Sequence, residues 1–291
     1  MNSWFVRGRE LSLERPLVMG ILNTTPDSFS DGGKFYSSDA AIGRASEMVG
    51  EGADIIDVGG ESTRPGAAAI SEEDELRRVL PVVRGIARQH PDATISIDTT
   101  KTVVARAALE AGAHIVNDVS TLRFDPAIAG VCAVSGAGLV LMHSRGDDVT
   151  ELASFAHAAY GDVVREVRAE LDEALCIALE AGVRREAIAL DPGIGFAKRG
   201  AHSIALLARL DAVAEPGYPI MVGLSNKRFI GEITGVTEPT HRLAGTLGAC
   251  VSALALGARI FRVHEVRPAR EALDVAWTVL KERTQTANTS A

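Results

Sequence analysis

The feature that most constrains this chain is an eightfold alternation. Short runs rich in Val, Ile and Leu end in polar residues, and stretches with helical spacing lie between them. The runs occupy 17–22, 54–58, 94–97, 114–116, 138–142, 187–190, 218–222 and 258–263. Near-continuous apolar runs are the mark of parallel strands covered on both faces. The stretches between them carry helix punctuation. Ser71 is a good N-cap, with Glu72, Glu73 and Asp74 in the first turn, where acids favour the macrodipole. Leu76, Val79, Leu80, Val83 and Ile86 follow at helical spacing, and Val163, Val164, Val167, Leu171, Leu175 and Leu179 make a second stripe. Gly52, Gly112, Gly182 and Gly257 each stand a few residues before the next strand, as C′ glycines do.

Eight such units without a break in composition predict an α/β fold: a single (β/α)8 barrel over residues 1–280. An open doubly wound sheet shares the alternation, but eight is the number that closes. Residues 4–13 alternate loosely around Gly8 and predict a short N-terminal hairpin. Residues 281–291 are polar and small and read as a frayed, disordered tail.

Composition narrows the partners. The hydrophobic fraction is 46% and the aromatic fraction only 4%, so the core is aliphatic. Lys plus Arg is 30 against 38 Asp plus Glu, a net charge of −8, which disfavours nucleic acid as a partner. A small anionic ligand needs only a local basic patch and stays open. Cys132, Cys176 and Cys250 are odd in number and widely spaced, which argues against a disulfide framework and fits a reducing compartment. Arg7, Arg9 and Glu10 stand where a signal peptide would be apolar, and no apolar run approaches the roughly 20 residues of a membrane span. The expectation is a soluble, cytoplasmic protein with no membrane partner.

In a barrel of this kind the active site lies at the C-terminal ends of the strands. Those ends carry Asn23, then Asp57 leading to Glu61, Thr63 and Arg64, then Asp98, Asn117 with Asp118, His143, Asp191, Ser225 with Lys227, and Arg262 with His264. One terminal Asp is usually a cap. Eight polar ends together predict a hydrogen-bonding pocket. Asp98, Asn117 and Asp191 with the cation Lys227 suit a flat heterocycle that presents N–H donors beside a carbonyl. Arg262 and His264, two apart on one strand, point the same way, and Asn23 is their neighbour once the barrel closes. That trio suits a phosphate or pyrophosphate with Mg²⁺ sharing its charge. Two Gly-rich loops, 23–35 and 59–67, follow the first two strands and have the make-up of lids. Phe29 and Phe35 in the first would be needlessly exposed on an ordinary surface loop.

At these residues the sequence resembles the dihydropteroate synthases of the pterin-binding barrel family. The matching motifs are GILNTTPDSFSDGG, IIDVGGESTRPGA, SIDTTK, IVNDVS, LDPGIGFAK, GLSNKRFIG and RVHEV, seven in the family's order between about residues 18 and 266. The resemblance implies a transferase of folate biosynthesis. It would join 7,8-dihydropterin-6-ylmethyl diphosphate to p-aminobenzoate, giving 7,8-dihydropteroate and pyrophosphate by Mg-assisted departure of diphosphate and arylamine attack. It further implies a pterin site of Asp98, Asn117, Asp191, Lys227 and Arg262, and a diphosphate and Mg²⁺ site of Asn23, Arg262 and His264, with Asn23 on the metal. The p-aminobenzoate site would be Thr63, Arg64, Pro65, Phe196 and Ser225. It also implies sulfonamide sensitivity and a homodimer, with which the apolar stretch 243–256 is compatible.

One departure stands out. After the seventh strand the family usually shows Ser-Arg-Lys, and here the run is Ser225, Asn226, Lys227, Arg228. Asn226 has less apolar stem to wall an aminobenzoate ring. Arg228, at a helix start, is the substitute expected to receive the benzoate carboxylate. Thr24, where Val is common, is a smaller departure from which little is expected. Two other readings share part of the pattern: a pterin-dependent methyltransferase-type barrel, and a pterin-binding paralogue with weak or no synthase activity.

Overall fold

The computed structural model describes residues 2–25, 38–63, 67–213 and 217–289. Strands β1 (Ser3–Val6) and β2 (Arg9–Ser12) form the predicted antiparallel hairpin. Arg7 (φ 46°) and Gly8 (φ 79°) both occupy the left-handed region, as a tight two-residue hairpin turn requires. The barrel strands follow: β3 (Leu17–Asn23), β4 (Ile55–Gly59), β5 (Thr94–Asp98), β6 (Ile115–Asp118), β7 (Gly138–Met142), β8 (Ile188–Asp191), β9 (Met221–Gly223) and β10 (Ile260–Val263). Between and after them run α1 (Ser38–Gly50), α2 (Glu72–Gln89), α3 (Thr102–Glu110), α4 (Ala127–Ser135), α5 (Val163–Glu180), α6 (Gly200–Ala208), α7 (Leu210–Val213), α8 (Arg228–Thr234), α9 (Leu243–Ala255) and α10 (Val266–Thr289).

The strands pair in parallel in the order β8-β7-β6-β5-β4-β3-β10-β9. A parallel bridge from Leu190 to Ile220, with Leu190 N donating to Pro219 O at 2.9 Å, brings β8 to the start of β9 and closes the ring. This is the (β/α)8, or TIM-barrel, arrangement, and it excludes the open sheet.

Strand alternation divides the core in two. Outward residues such as Val18, Ile56, Ile97, Val116, Leu139 and Phe261 pack under the helices in one large cluster. Inward residues Leu17, Met19, Ile55, Ile115, Val140, Ala189, Met221 and Ile260 form a second cluster inside the barrel, together with Trp4, Val6 and Leu13. The hairpin is therefore the plug of the barrel's N-terminal mouth. Trp4 is fully buried, and its indole Nε1 donates to Ala187 O at 2.9 Å.

The four C′ glycines all take positive φ, from 92° at Gly182 to 118° at Gly112. Ser71 caps α2, its hydroxyl accepting from Asp74 N. Two expectations need correction. Leu179 is 41% exposed, because the buried stripe of α5 passes through Ala174, Leu175 and Ala178 instead. The stretch from residue 281, read as a tail, continues α10 as far as Thr289. Lys, Glu, Arg, Gln and Ala are good helix formers, and they extend a helix whose first turns bury Val266, Ala269 and Leu273.

Candidate active site

Two residues beyond the apolar plug, the same inward positions become polar: Asp57, Ser96, Asn117, Asp191 and Arg262. One step higher stand Asn23, Gly59 and Asp98, and the pairing Asn23↔Gly59↔Asp98↔Asn117 sets them side by side on adjacent strands. The strand period thus builds a polar floor and a rim over a dry base.

Arg262 organises the floor. Its Nε donates to Asp57 Oδ2 at 2.7 Å and its Nη2 to Asp98 Oδ2 at 2.6 Å. Asp57 Oδ2 also accepts from Asn117 Nδ2 at 3.1 Å. Burial raises the Asp98 carboxyl above its ordinary range, with Arg262 opposing. Among the described residues three buried atoms of this layer have no partner: Asp57 Oδ1, Asn117 Oδ1 and Ser96 Oγ. An orphaned buried acceptor costs about 1–3 kcal/mol. Three such groups lie together in this layer, beneath the mouth.

The opposite wall is built by the loop after β8. Asp191 is buried, and its Oδ1 accepts from Gly193 N at 2.7 Å. Burial pushes its carboxyl up to about 6, against the Gly193 amide and the charges of Lys227, Lys198 and Arg262. Lys227 lies with Nζ 3.8 Å from the centre of the Phe196 ring. Burial brings its ammonium down to about 8, with Asp191 opposing. Gly193 (φ 63°) must be glycine, since a Cβ there would collide with His143 O.

At the rim, His264 Nδ1 lies 3.0 Å from Ser225 Oγ, tying the end of β10 to the loop after β9. Thr24 does more than expected: its N and Oγ1 both donate to Gly59 O, at 2.7 and 3.0 Å, and a Val could make only the first bond. A Cβ placed on Gly59 would lie 3.5 Å from Asp98 Cβ and 3.8 Å from Asn23 Oδ1. Glycine thus leaves open a small space faced by a carboxamide oxygen and a carboxylate. Such hard oxygens suit Mg²⁺, which takes one or two protein ligands and fills its octahedron with phosphate oxygens and water.

The remaining expected residues are placed unevenly. Thr63 is half-buried at the last described position before the gap in the second loop, while Arg64 and Pro65 lie outside the described residues, as do Phe29 and Phe35. Glu61, at the base of that loop, accepts from Ile70 N at 2.8 Å and from Lys101 Nζ at 2.6 Å. Lys101 also donates to the buried Glu75 at 2.6 Å. Arg228 turns to solvent, 70% exposed, with Nε 3.3 Å from Glu232 Oε1 and its guanidinium 4.7 Å from the Phe155 ring. Asn226 adopts φ 59°, a left-handed conformation that Asn tolerates better than most residues. Two strand-end groups turn away from the mouth. Asp118 accepts from the amides of Ser120 and Leu122, and His143 is buried against Glu170 of α5. Asp57 belongs to the floor, a role not assigned to it from the sequence. Its signal was the only acid in the run IIDVG, at the inward parity of Ile55.

A (β/α)8 barrel with a floor of carboxylates, an amide and an arginine, a lysine on the wall and a histidine at the rim has the form of a pterin-binding barrel. The family described as pterin binding enzyme matches residues 19–264. The dihydropteroate synthase of Synechocystis sp. is 47% identical over 263 residues, covering 90% of each chain. The solved dihydropteroate synthase of Xanthomonas albilineans with 4-aminobenzoic acid superposes with a TM-score of 0.88 at 43% identity, covering 96% of this chain and 98% of that one. The same enzyme in complex with 7,8-dihydropteroate gives 0.85 at 41% identity, over 96% and 98%. The chain belongs to this family, among its dihydropteroate synthases.

Proposed function

We propose that the chain condenses 7,8-dihydropterin-6-ylmethyl diphosphate with p-aminobenzoate to give 7,8-dihydropteroate and pyrophosphate. The observation that carries this reading is the convergence of Asn117, Asp98 and Asp191 with Arg262 and Lys227 on one mouth of the barrel. A pterin edge is a row of N–H donors, and a floor of acceptors rejects a ring that lacks them because its own groups would stay unpaired. The relatives solved with 4-aminobenzoic acid and with 7,8-dihydropteroate support the choice of substrates.

In this reading Asp98, Asn117 and Asp191 hold the pterin edge, Lys227 meets its carbonyl oxygen, and Arg262 lies over the ring. Asn23, Arg262 and His264 face the diphosphate. The C–O bond to diphosphate breaks as the electron-rich ring spreads the positive charge. The arylamine nitrogen then bonds to the same carbon and loses a proton. Stabilising the leaving anion matters more than activating the nucleophile, because an arylamine is already neutral at pH 7. Asn23 would hold Mg²⁺, which would add to the neutralisation of the diphosphate. Thr63, Arg64, Pro65, Phe196, Ser225 and Arg228 form the p-aminobenzoate side, which makes the protein a sulfonamide target.

A homodimer in the cytoplasm completes the reading. Val275 and Val279 of α10 are 69% and 65% exposed and four residues apart, hence on one face. Among the described residues no helix is long and apolar enough to cross a membrane.

The test mixes pterin diphosphate, p-aminobenzoate and Mg²⁺ with the protein. Dihydropteroate and pyrophosphate should appear in equal amounts. Pterin binding without product would overturn the reading.

A further inference from the structure

Lys198 is among the largest wholly buried side chains of the described residues, 1% exposed, and the chemistry above does not use it. Its Nζ meets three acceptors: His143 Nδ1 at 2.8 Å, Phe196 O at 3.0 Å and His143 O at 3.3 Å. His143 Nε2 lies 2.9 Å from a Glu170 carboxylate oxygen, so that nitrogen carries the ring proton and Nδ1 offers a lone pair. The three acceptors match the N–H donors of a lysine amine. None of them is a carboxylate. A buried amine held by two carbonyls and an imidazole is an expensive way to fill space, since an apolar side chain of the same length would carry no desolvation cost.

The position explains the expense. The backbone between 193 and 198 runs tightly along the site. Phe196 N donates to Gly193 O at 3.0 Å, and Ala197 sits at φ 46°, a left-handed conformation without glycine. An L-residue resists that conformation by roughly 1–2 kcal/mol. One end of the segment is tied to Asp191 through Gly193 N. The other end is Lys198. Between them, the Phe196 ring lies under Lys227, and the Lys227 stem lies 3.0 Å from where a Cβ on Gly195 would stand.

We propose that Lys198 is a positioning residue: its two bonds to His143 pin the 193–198 loop to the end of β7, and its bond to Phe196 O holds Phe196 in place against Lys227. The consequence for catalysis rests on the proposed synthase reading, in which Phe196 walls p-aminobenzoate. The charged and titratable groups around Lys198 are His143 and Arg145 beyond β7, Glu166 and Glu170 on α5, Asp191 at the end of β8, His202 on α6 and Lys227 after β9. Burial pulls the Lys198 amine well below the usual lysine range, with Asp191 and Glu170 opposing.

The test compares wild type with Lys198→Met, which keeps the stem and removes the donors. Amide hydrogen exchange on the ligand-free protein is read first. Exchange across 193–198 should quicken at least tenfold while β3 to β6 stay as in wild type. In the synthase assay the KM for p-aminobenzoate should rise at least tenfold, and that for the pterin diphosphate less than twofold. Unchanged exchange in the loop overturns the pinning. Equal rises in both KM values, or none, overturn the link to Phe196. If the Met variant does not fold, Lys198→Gln serves, keeping N–H donors for the carbonyls, with the same split expected at threefold or more. Should wild type make no dihydropteroate, the synthase reading fails, and the exchange measurement still decides the pinning.

Discussion

Arg262 and Asp57 meet at 2.7 Å inside the barrel, from strands that are not neighbours, with β3 between them. The carboxylate is fully buried and also receives Asn117, so it fixes the orientation of the two groups that flank it. Asp57→Asn should therefore misplace Arg262 without emptying the site. Losing a charged hydrogen bond of about 1.5–3 kcal/mol predicts pterin diphosphate affinity weaker by about 10- to 150-fold. Titration calorimetry checks this, and unchanged affinity would remove Asp57 from the floor.

Asp191 titrates near 6 because burial disfavours its charge. A pterin edge of N–H donors needs the carboxylates, Asp191 raised to about 6 and Asp98 to about 7, so pterin affinity should fall as pH drops through that range and level off above it. Stability runs the other way. The folded protein holds the Asp191 proton more tightly than the unfolded chain, so this group adds stability as pH falls from about 6 towards the ordinary carboxylate range and adds none above it. Asp191→Asn should leave only the limb set by Asp98, a single-proton fall centred higher in pH, which a pH series of dissociation constants would show.

Asn226 tests the p-aminobenzoate wall. Asn226→Arg should lower the KM for p-aminobenzoate and alter sulfonamide inhibition, since the longer stem covers more of the ring. The left-handed backbone at φ 59° should cost the variant about 1 kcal/mol of stability. Equal KM and inhibition in the two proteins would contradict the expectation.

The hairpin plug is a stability element remote from the chemistry. Trp4→Ala removes a fully buried indole and its bond to Ala187 O, and should destabilise by about 3–5 kcal/mol. Denaturant unfolding should register the loss while both KM values hold. A shift in KM without loss of stability would contradict a purely structural role for the plug.

Chelation separates ring binding from turnover. Removing Mg²⁺ with EDTA should stop product formation, while a pterin without diphosphate should bind as before, because the contacts proposed for it are Asp98, Asn117, Asp191 and Lys227. Turnover undiminished in EDTA would remove Mg²⁺ from the account.

Much of this molecule is legible in its sequence because buried parallel strands leave uninterrupted apolar runs whose ends can be read directly. The mouth residues Asp98, Asn117, Asp191, Arg262 and His264 follow from that. The parts that escape have physical reasons. Trp4 alternates like any hairpin residue, and nothing local says that it enters the barrel's base. Asp57 looks like one stray acid until Arg262 arrives from the last strand. Lys198, in a Gly-rich loop, reads as a solvated lysine, and only the fold shows the three acceptors around it. His143 and Asp118 end their strands with the outward parity, which the reading of strand ends did not separate from the inward one.

The central claim is that Asp98, Asn117 and Asp191 close on one bicyclic ring. A crystal structure with a bound dihydropterin measures it most directly. The account predicts ring nitrogens within hydrogen-bonding distance of all three side chains and the Lys227 ammonium on the ring oxygen. A pterin seated anywhere else, or touching only one of the three, would contradict it.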